Sequence, residues 1–356
     1  MISLRELRNG NKRTVKTHAI IPIFIPQLGC PHSCVFCNQR AITARTADVT
    51  EADVRNIAEE YLSTLDGVEE VEMSFFGGSF TGIPIEKQSA FLAVAKEYKD
   101  AGRISKIHLS TRPDYISRKI LDNLKRFDTD VIELGVQSFD ENVLKLSERG
   151  HSRQAVYDAC SLIKEYGFTL GIQLMIGLPG DSYEACMDSV RRTIEIGPDI
   201  ARIYPTVIIS NTKLAEMYIE GSYTPFTTEE SVHIAKDMYK ALTDAGINVI
   251  RVGLKASALI NDGDDSRVLG GSYHPAFRQL LEGEIARDKI EAEVKNRLAD
   301  TPNGLIDMTV RSGSKMMSNA VGHKCCNKTY FAENYPEIKI RYVADNTLED
   351  NQMIIE

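Results

Sequence analysis

Six apolar, β-branched runs between residues 18 and 209 alternate with stretches of helical spacing. No other feature limits the possible folds as much, because parallel strands need crossovers of roughly a dozen residues or more, and helices supply them. The runs are HAIIPIFIP (18–26), VEMSFFGG (71–78), KIHLST (106–111), DVIELGVQS (130–138), TLGIQLMIGLPG (169–180) and IARIYPTVII (200–209). Helices are predicted for 50–65, with Thr50 as N-cap, and for 84–102, with Pro84 at the start and Gly102 past the end. Further helices are predicted for 114–127, for two stretches across 140–166, and for 182–197.

Six such units are too few to close an eightfold barrel. The predicted fold class is therefore α/β, a partial (βα)6 TIM-type barrel. After the helical stretch 227–246 the alternation stops. A short strand (247–253), an irregular Gly- and Asp-rich stretch (260–275), a charged helix (275–299), a strand (304–311), a short helix (314–321) and a last strand (337–343) predict a small C-terminal α+β extension. The predicted domains are a basic arm (1–17), the barrel (18–250) and the extension (251–356).

No run of roughly 18 or more apolar residues occurs, so no membrane span is expected. MISLRELRNGNKRTVKTH is polar and basic, without the apolar core of a secretion signal, so the protein is expected in the cytoplasm, where thiols stay reduced. Seven cysteines, an odd number without a secreted-disulfide pattern, favour a metal or redox role for any cluster of them. A net charge of −8 argues against a general nucleic-acid coat. A local basic patch remains at Arg5, Arg8, Lys12, Arg13 and Lys16, either a solvated arm or a polyanion contact.

GCPHSCVFCNQR (29–40) spaces Cys30, Cys34 and Cys37 as C-x3-C-x2-C, directly after the first strand. A structural zinc site prefers four closed ligands. An iron–sulfur cubane held by only three thiolates keeps one iron open for another molecule. Other strand ends carry further candidates, and βα barrels keep their sites at the C-terminal strand ends. Gly77 and Gly78 follow the second strand, where glycine permits either a tight turn or close approach to a ligand. Gln137 ends the fourth, and Arg149 lies twelve residues on, either a surface helix residue or a bidentate clamp for a carboxylate. Gln173 lies on the fifth, and Arg112 in STRPDY follows the third.

With Phe36 just before the last cysteine, the loop resembles the signature of the radical S-adenosylmethionine superfamily. That resemblance implies a [4Fe–4S] cluster on Cys30, Cys34 and Cys37, with S-adenosylmethionine on the open iron. It implies that Phe36 packs on the adenine, that Gly77 and Gly78 meet the methionine amino group, that Gln137 meets the ribose and that Arg149 holds the methionine carboxylate. Gln173 falls where relatives often carry an acidic ribose ligand, and Arg112 where a porphyrinogen-oxidising relative has an acid. The chemistry implied is reduction by an external donor of the flavodoxin or ferredoxin type, cleavage to a 5′-deoxyadenosyl radical, and hydrogen abstraction from substrate; no catalytic side chain is singled out.

Within the superfamily, FFGGSFTG, STRPDYI, IELGVQSFDENVLKLSERGH, MIGLPG and RIYPTVIISNTKL, in that order, resemble the radical domain of the Elongator catalytic subunit. GGSYHPAFRQLLEGE (270–284) resembles a block in the extension of related radical enzymes. This likeness implies a transferase acting on the wobble uridine of tRNA. The acetyltransferase domain of Elongator is not expected in the residues after 300. Two alternatives stay open: a radical enzyme for a small metabolite or peptide, and a non-catalytic iron–sulfur or scaffold protein. Cys160 and Cys186 read as small apolar residues facing the core. His323, Cys325 and Cys326 cannot close a tetrahedral metal site alone and read as packing residues or a turn at the end of a short helix.

Overall fold

A computed structural model describes residues 17–25, 34–37, 49–256, 260–261, 263, 266–300 and 305–356. Cys30 and the basic residues Arg5, Arg8, Lys12, Arg13 and Lys16 lie outside them. The alternation is realised as β1 (His18–Ile25), α1 (Glu51–Leu62), β2 (Glu70–Gly77), α2 (Ile85–Asp100), β3 (Lys106–Thr111), α3 (Arg118–Arg126), β4 (Val131–Gln137), α4 (Glu141–Leu146), α5 (Arg153–Glu165), β5 (Thr169–Ile176), α6 (Tyr183–Ile196) and β6 (Ile200–Pro205). Then come β7 (Val207–Ile209), α7 (Lys213–Ile219), α8 (Thr228–Asp244), β8 (Asn248–Val252) and β9 (Val268–Gly271).

Seven strands share one sheet in the order β1-β2-β3-β4-β5-β6-β8, a partial α/β barrel. The seventh is the short strand that the sequence places beyond the alternation: β8 pairs in parallel with β6. The sixth apolar run, in turn, divides. Proline ends β6 at Pro205, the Thr206 amide donates to the Ile176 carbonyl at 2.9 Å, and β7 leaves to pair antiparallel with β9.

The described residues form two compact units. The first carries β1, β2, β3 and β4 as far as Val136, and Gly150–Ile172; the second carries Cys34–Cys37, Gln137–Arg149 and the chain from Gln173 onward. In the first, alternate residues of the strands (Ile21 and Ile23, Met73 and Phe75, Ile107 and Leu109) are fully buried. β4 is buried at every position, as a parallel strand covered on both faces should be. Helix entries follow their capping residues. Thr50 accepts from the Asp53 amide in a reciprocal capping box, and Ser117, Ser152 and Ser182 each accept from an amide in the first turn of α3, α5 and α6.

The second unit ends in α9 (Phe277–Asp300), β10 (Ile306–Ser312), α10 (Ser314–Val321), α11 (Cys326–Asn334), β11 (Ile338–Ala344) and β12 (Met353–Ile355). β10 is the middle strand, parallel to β11 and antiparallel to β12. Ile290 and Val294 of α9 pack with Met308, Val310, Ala320, Phe331 and Ile338 as its core. Among the described residues no helix is long and apolar enough to cross a membrane.

Candidate active site

Cys34 and Cys37 lie on one tight turn, closed by the Cys37 amide donating to the Cys34 carbonyl at 2.9 Å. Cys34 is buried and Cys37 half-buried. Val35, between them, fixes the turn. Its amide donates to the Ser147 carbonyl at 3.1 Å, and its carbonyl accepts from the Leu214 amide at 2.8 Å. Its side chain is buried with Ile208, Leu214, Ala215 and Tyr223, and Phe36 packs against the same cluster.

Ser147 is the exit of α4. Its hydroxyl donates back to the Val143 carbonyl at 2.6 Å. The chain then reverses through Glu148, which has a left-handed φ of 52°, and the Arg149 amide returns to the Leu144 carbonyl at 2.9 Å. This reversal buries Arg149 and brings its Nη1 to 3.3 Å from Cys34 Sγ.

Gln137, the last residue of β4, has φ at 72°, a left-handed backbone that costs a non-glycine residue about 1–3 kcal/mol. Its side chain is buried, and among the described residues Oε1 accepts no hydrogen bond. An unmet buried acceptor costs a further ~1–3 kcal/mol. Gln173 is half-buried on the face of β5 opposite Ile172 and Leu174.

Gly77 and Gly78 belong to the first unit. Gly77 has φ at 112°, and a Cβ there would stand 2.3 Å from the Ile25 carbonyl oxygen of the paired strand. The Gly78 amide donates to that same oxygen at 3.2 Å. Glycine at 77 is thus already demanded by the β1–β2 pairing. Arg112 is buried, and its Nε and Nη2 grip Asp114 at 2.9 and 3.0 Å.

The first unit also holds a network that sequence reasoning missed. His108 Nδ1 lies 2.6 Å from Glu72 Oε1, and its Nε2 lies 3.8 Å from Glu133 Oε2, all three side chains buried. Ser74 donates to Glu72, and Ser110 donates to Glu133 at 3.2 Å. Burial pushes the Glu72 carboxyl up, but the His108 ring, Ser74 and His18 outweigh it and hold it at about 2. The signal was present: an acid or histidine inside an apolar run must find a partner. The Val35 anchors were also missed, and they left no such signal, being contacts between backbone groups.

The family model described as the Radical SAM superfamily matches residues 24–193, and the Radical_SAM C-terminal domain matches 198–287. The chain belongs to the radical SAM superfamily. It is 28% identical over 269 residues to a tRNA uridine(34) acetyltransferase of Methanocaldococcus infernus, covering 64% of this chain and 50% of that protein. A second protein of that name, from Dehalococcoides mccartyi, is 28% identical over 304 residues, covering 76% and 65%. The solved structure of the archaeal Methanocaldococcus infernus Elp3, with an N-terminal deletion, shares the fold, with a TM-score of 0.60 at 22% identity over 78% of this chain and 64% of that one. This radical SAM chain thus spans about half to two thirds of the length of these relatives.

In this radical SAM chain the structure brings Cys34, Cys37, Phe36 and Arg149 together, with Gln137 and Gln173 in the same unit. His323 and Cys325 lie in a 3-10 turn directly after the short helix α10, as the sequence suggests, and Cys326 then opens α11. Both thiols there are exposed, and among the described residues no three His, Cys, Asp or Glu side chains are placed to hold a metal. Cys160 and Cys186 are buried, as the helical patterns predict.

Proposed function

We propose that the chain is a radical S-adenosylmethionine enzyme in which Cys30, Cys34 and Cys37 hold a [4Fe–4S] cluster, and that its substrate is a tRNA uridine. The contact of buried Arg149 with Cys34 carries the reading. A structural zinc loop needs no guanidinium against its sulfur, whereas a cluster that receives a carboxylate-bearing cofactor needs a cation at its edge. The described residues suit both groups. Two soft sulfurs share one braced turn, and a positive charge faces the sulfur that a metal requires as thiolate. Gln137 offers a buried acceptor suited to a ribose hydroxyl.

When bound, the cluster and S-adenosylmethionine supply a transferred electron and a primary carbon radical able to take a hydrogen atom from substrate. The protein's part is to bind and shield. Arg149 binds the methionine carboxylate, the Gly77–Gly78 backbone meets the amino group, Gln137 and Gln173 orient the ribose, and Phe36 covers the adenine. An external flavodoxin- or ferredoxin-type donor supplies the electron. The barrel at 18–250 is the radical domain, the arm at 1–17 precedes it, and the extension at 251–356 follows. The substrate assignment is supported by the tRNA uridine named for the relatives. Anaerobic reconstitution with iron and sulfide, then dithionite and S-adenosylmethionine, should yield 5′-deoxyadenosine, and total tRNA should raise the yield. No 5′-deoxyadenosine from a fully loaded protein would overturn the enzyme reading, and indifference to tRNA would move the substrate to a small metabolite or peptide.

A further inference from the structure

β1 and β2 carry different residues on their two faces. Ile21, Ile23, Met73 and Phe75 are fully buried on one. On the other, the strand register sets Pro22 beside Ser74 and Phe24 beside Phe76, the last residues of that face before the strands end at Ile25 and Gly77. The two rings have their centroids 6.2 Å apart and their planes inclined at 44°. Phe76 is half-buried, and Phe24 is 37% exposed.

A single exposed aromatic residue needs no explanation. This one ends a braced series. The Phe76 ring meets the His108 ring at 5.9 Å in a T-shaped contact. His108 Nδ1 is in turn held 2.6 Å from Glu72 Oε1, both residues buried. The carboxylate fixes the imidazole, the imidazole fixes Phe76, and Phe76 flanks Phe24. A ring ordered before its ligand arrives loses less freedom on binding. Beyond the rings this face is polar on β2 and β3, with Glu72 and Ser74 on one and His108 and Ser110 on the other. An aliphatic ligand gains only from continuous apolar surface, whereas a planar base with polar edges gains from the face of one aromatic ring. Phe76 immediately precedes Gly77, at the strand ends where βα barrels keep their sites.

We propose that Phe24, backed by Phe76, is the surface on which the base of the substrate nucleotide stacks. The identity of that base as uracil rests on the tRNA reading above, while the surface itself rests on the β1–β2 register and the ring geometry. The chain contains no tryptophan, so Phe24→Trp in the full-length protein carries a single indole reporter. Tyr61→Trp on α1, where Tyr61 is 38% exposed, is the control. Emission of both is followed on titration with an RNA hairpin bearing one uridine in its loop, the same hairpin abasic at that position, uridine 5′-monophosphate, and S-adenosylmethionine. In parallel, wild type and Phe24→Leu are titrated into fluorescein-labelled forms of the two hairpins at one salt concentration.

The uridine hairpin should quench the emission of Phe24→Trp, the abasic hairpin should not, and Tyr61→Trp should respond to neither. Wild type should prefer the uridine hairpin. Phe24→Leu, which keeps apolar bulk without an aromatic face, should lower that preference about tenfold and bind the abasic hairpin as wild type does. If Phe24→Leu keeps the full preference, or loses affinity for both hairpins equally, the ring is structural and the proposal fails. It fails also if S-adenosylmethionine alone quenches Phe24→Trp, because the ring then serves the cofactor. If wild type binds neither hairpin, the tRNA reading falls by itself. The stacking surface then stands if uridine 5′-monophosphate quenches Phe24→Trp but not Tyr61→Trp, and fails if it quenches neither.

Discussion

Gly77→Ala separates two reasons for a glycine at the end of β2. If Gly77 serves only a ligand, alanine would weaken cofactor binding and leave the metal-free protein as stable as before. The structure demands more. At φ 112° an L-residue is strained, and its Cβ would lie 2.3 Å from the Ile25 carbonyl oxygen, a backbone atom that can move only by disturbing the β1–β2 ladder. The backbone term is about 1–2 kcal/mol. Displacing Ile25 also weakens the bond from the Gly78 amide, worth another ~0.5–1.5 kcal/mol. Together they amount to about 1.5–3.5 kcal/mol. Gly102→Ala is the matched control: φ is 68°, and nothing lies within 4 Å of its Cβ, so only the backbone term applies. Urea titrations of the metal-free proteins, followed by circular dichroism, should place the Gly77→Ala midpoint clearly below that of Gly102→Ala. Equal midpoints would refute the crowding argument and return Gly77 to a ligand role alone.

Acid should expose the Glu72–His108 pair. A carboxyl held at about 2, below its ordinary 4.5, contributes stability that is complete above 4.5 and is lost as pH falls toward 2. Glu72→Gln should flatten that part of a melting-temperature profile, and an unchanged profile would refute the coupling. Cys34→Ala, reconstituted anaerobically, should retain far less iron and sulfide than wild type by chemical analysis; equal content would remove Cys34 from the ligand set. Arg149→Ala should weaken S-adenosylmethionine binding about tenfold or more in equilibrium dialysis, with unchanged affinity refuting the carboxylate clamp. Gly313→Ala tests steric crowding alone, since φ is an ordinary −63° but its Cβ would stand 2.0 Å from the Glu349 carbonyl oxygen. Limited proteolysis should cut the C-terminal sheet of this variant sooner than that of wild type.

The parts of the fold legible in the sequence are those that short stretches decide for themselves. Thr50, Pro84 and Gly102 mark their helices because caps and left-handed exits depend on the local residue. β8 was legible as a strand but not as a member of the main sheet, because five residues do not reveal a partner nearly fifty positions earlier. α7 is two turns long, and α11 starts at Cys326, directly after the left-handed Lys324 and Cys325, so neither offers a long periodic pattern. The site divides in the same way. Thiols, glycines and Arg149 are readable because chemistry restricts residue type. Ser147 and Leu214 are not, because any residue supplies the carbonyl or amide that each gives to Val35.

Under the cluster assignment proposed above, the bracing of Val35 bears on how iron would be acquired. A loop that becomes ordered only around its metal can discriminate among metals by which ion repays that ordering. Here the Cys34–Cys37 turn is held at Val35 by Ser147, Leu214 and an apolar cluster, none of which involves a metal. Two sulfurs presented this way accept zinc readily, and first-row affinities for thiolates do not favour ferrous iron over it. Discrimination must then come from delivery: which metal is offered, in what form, and in what order. Protein made in zinc-rich medium should carry zinc on this turn, and chelation before anaerobic loading becomes a requirement of preparation.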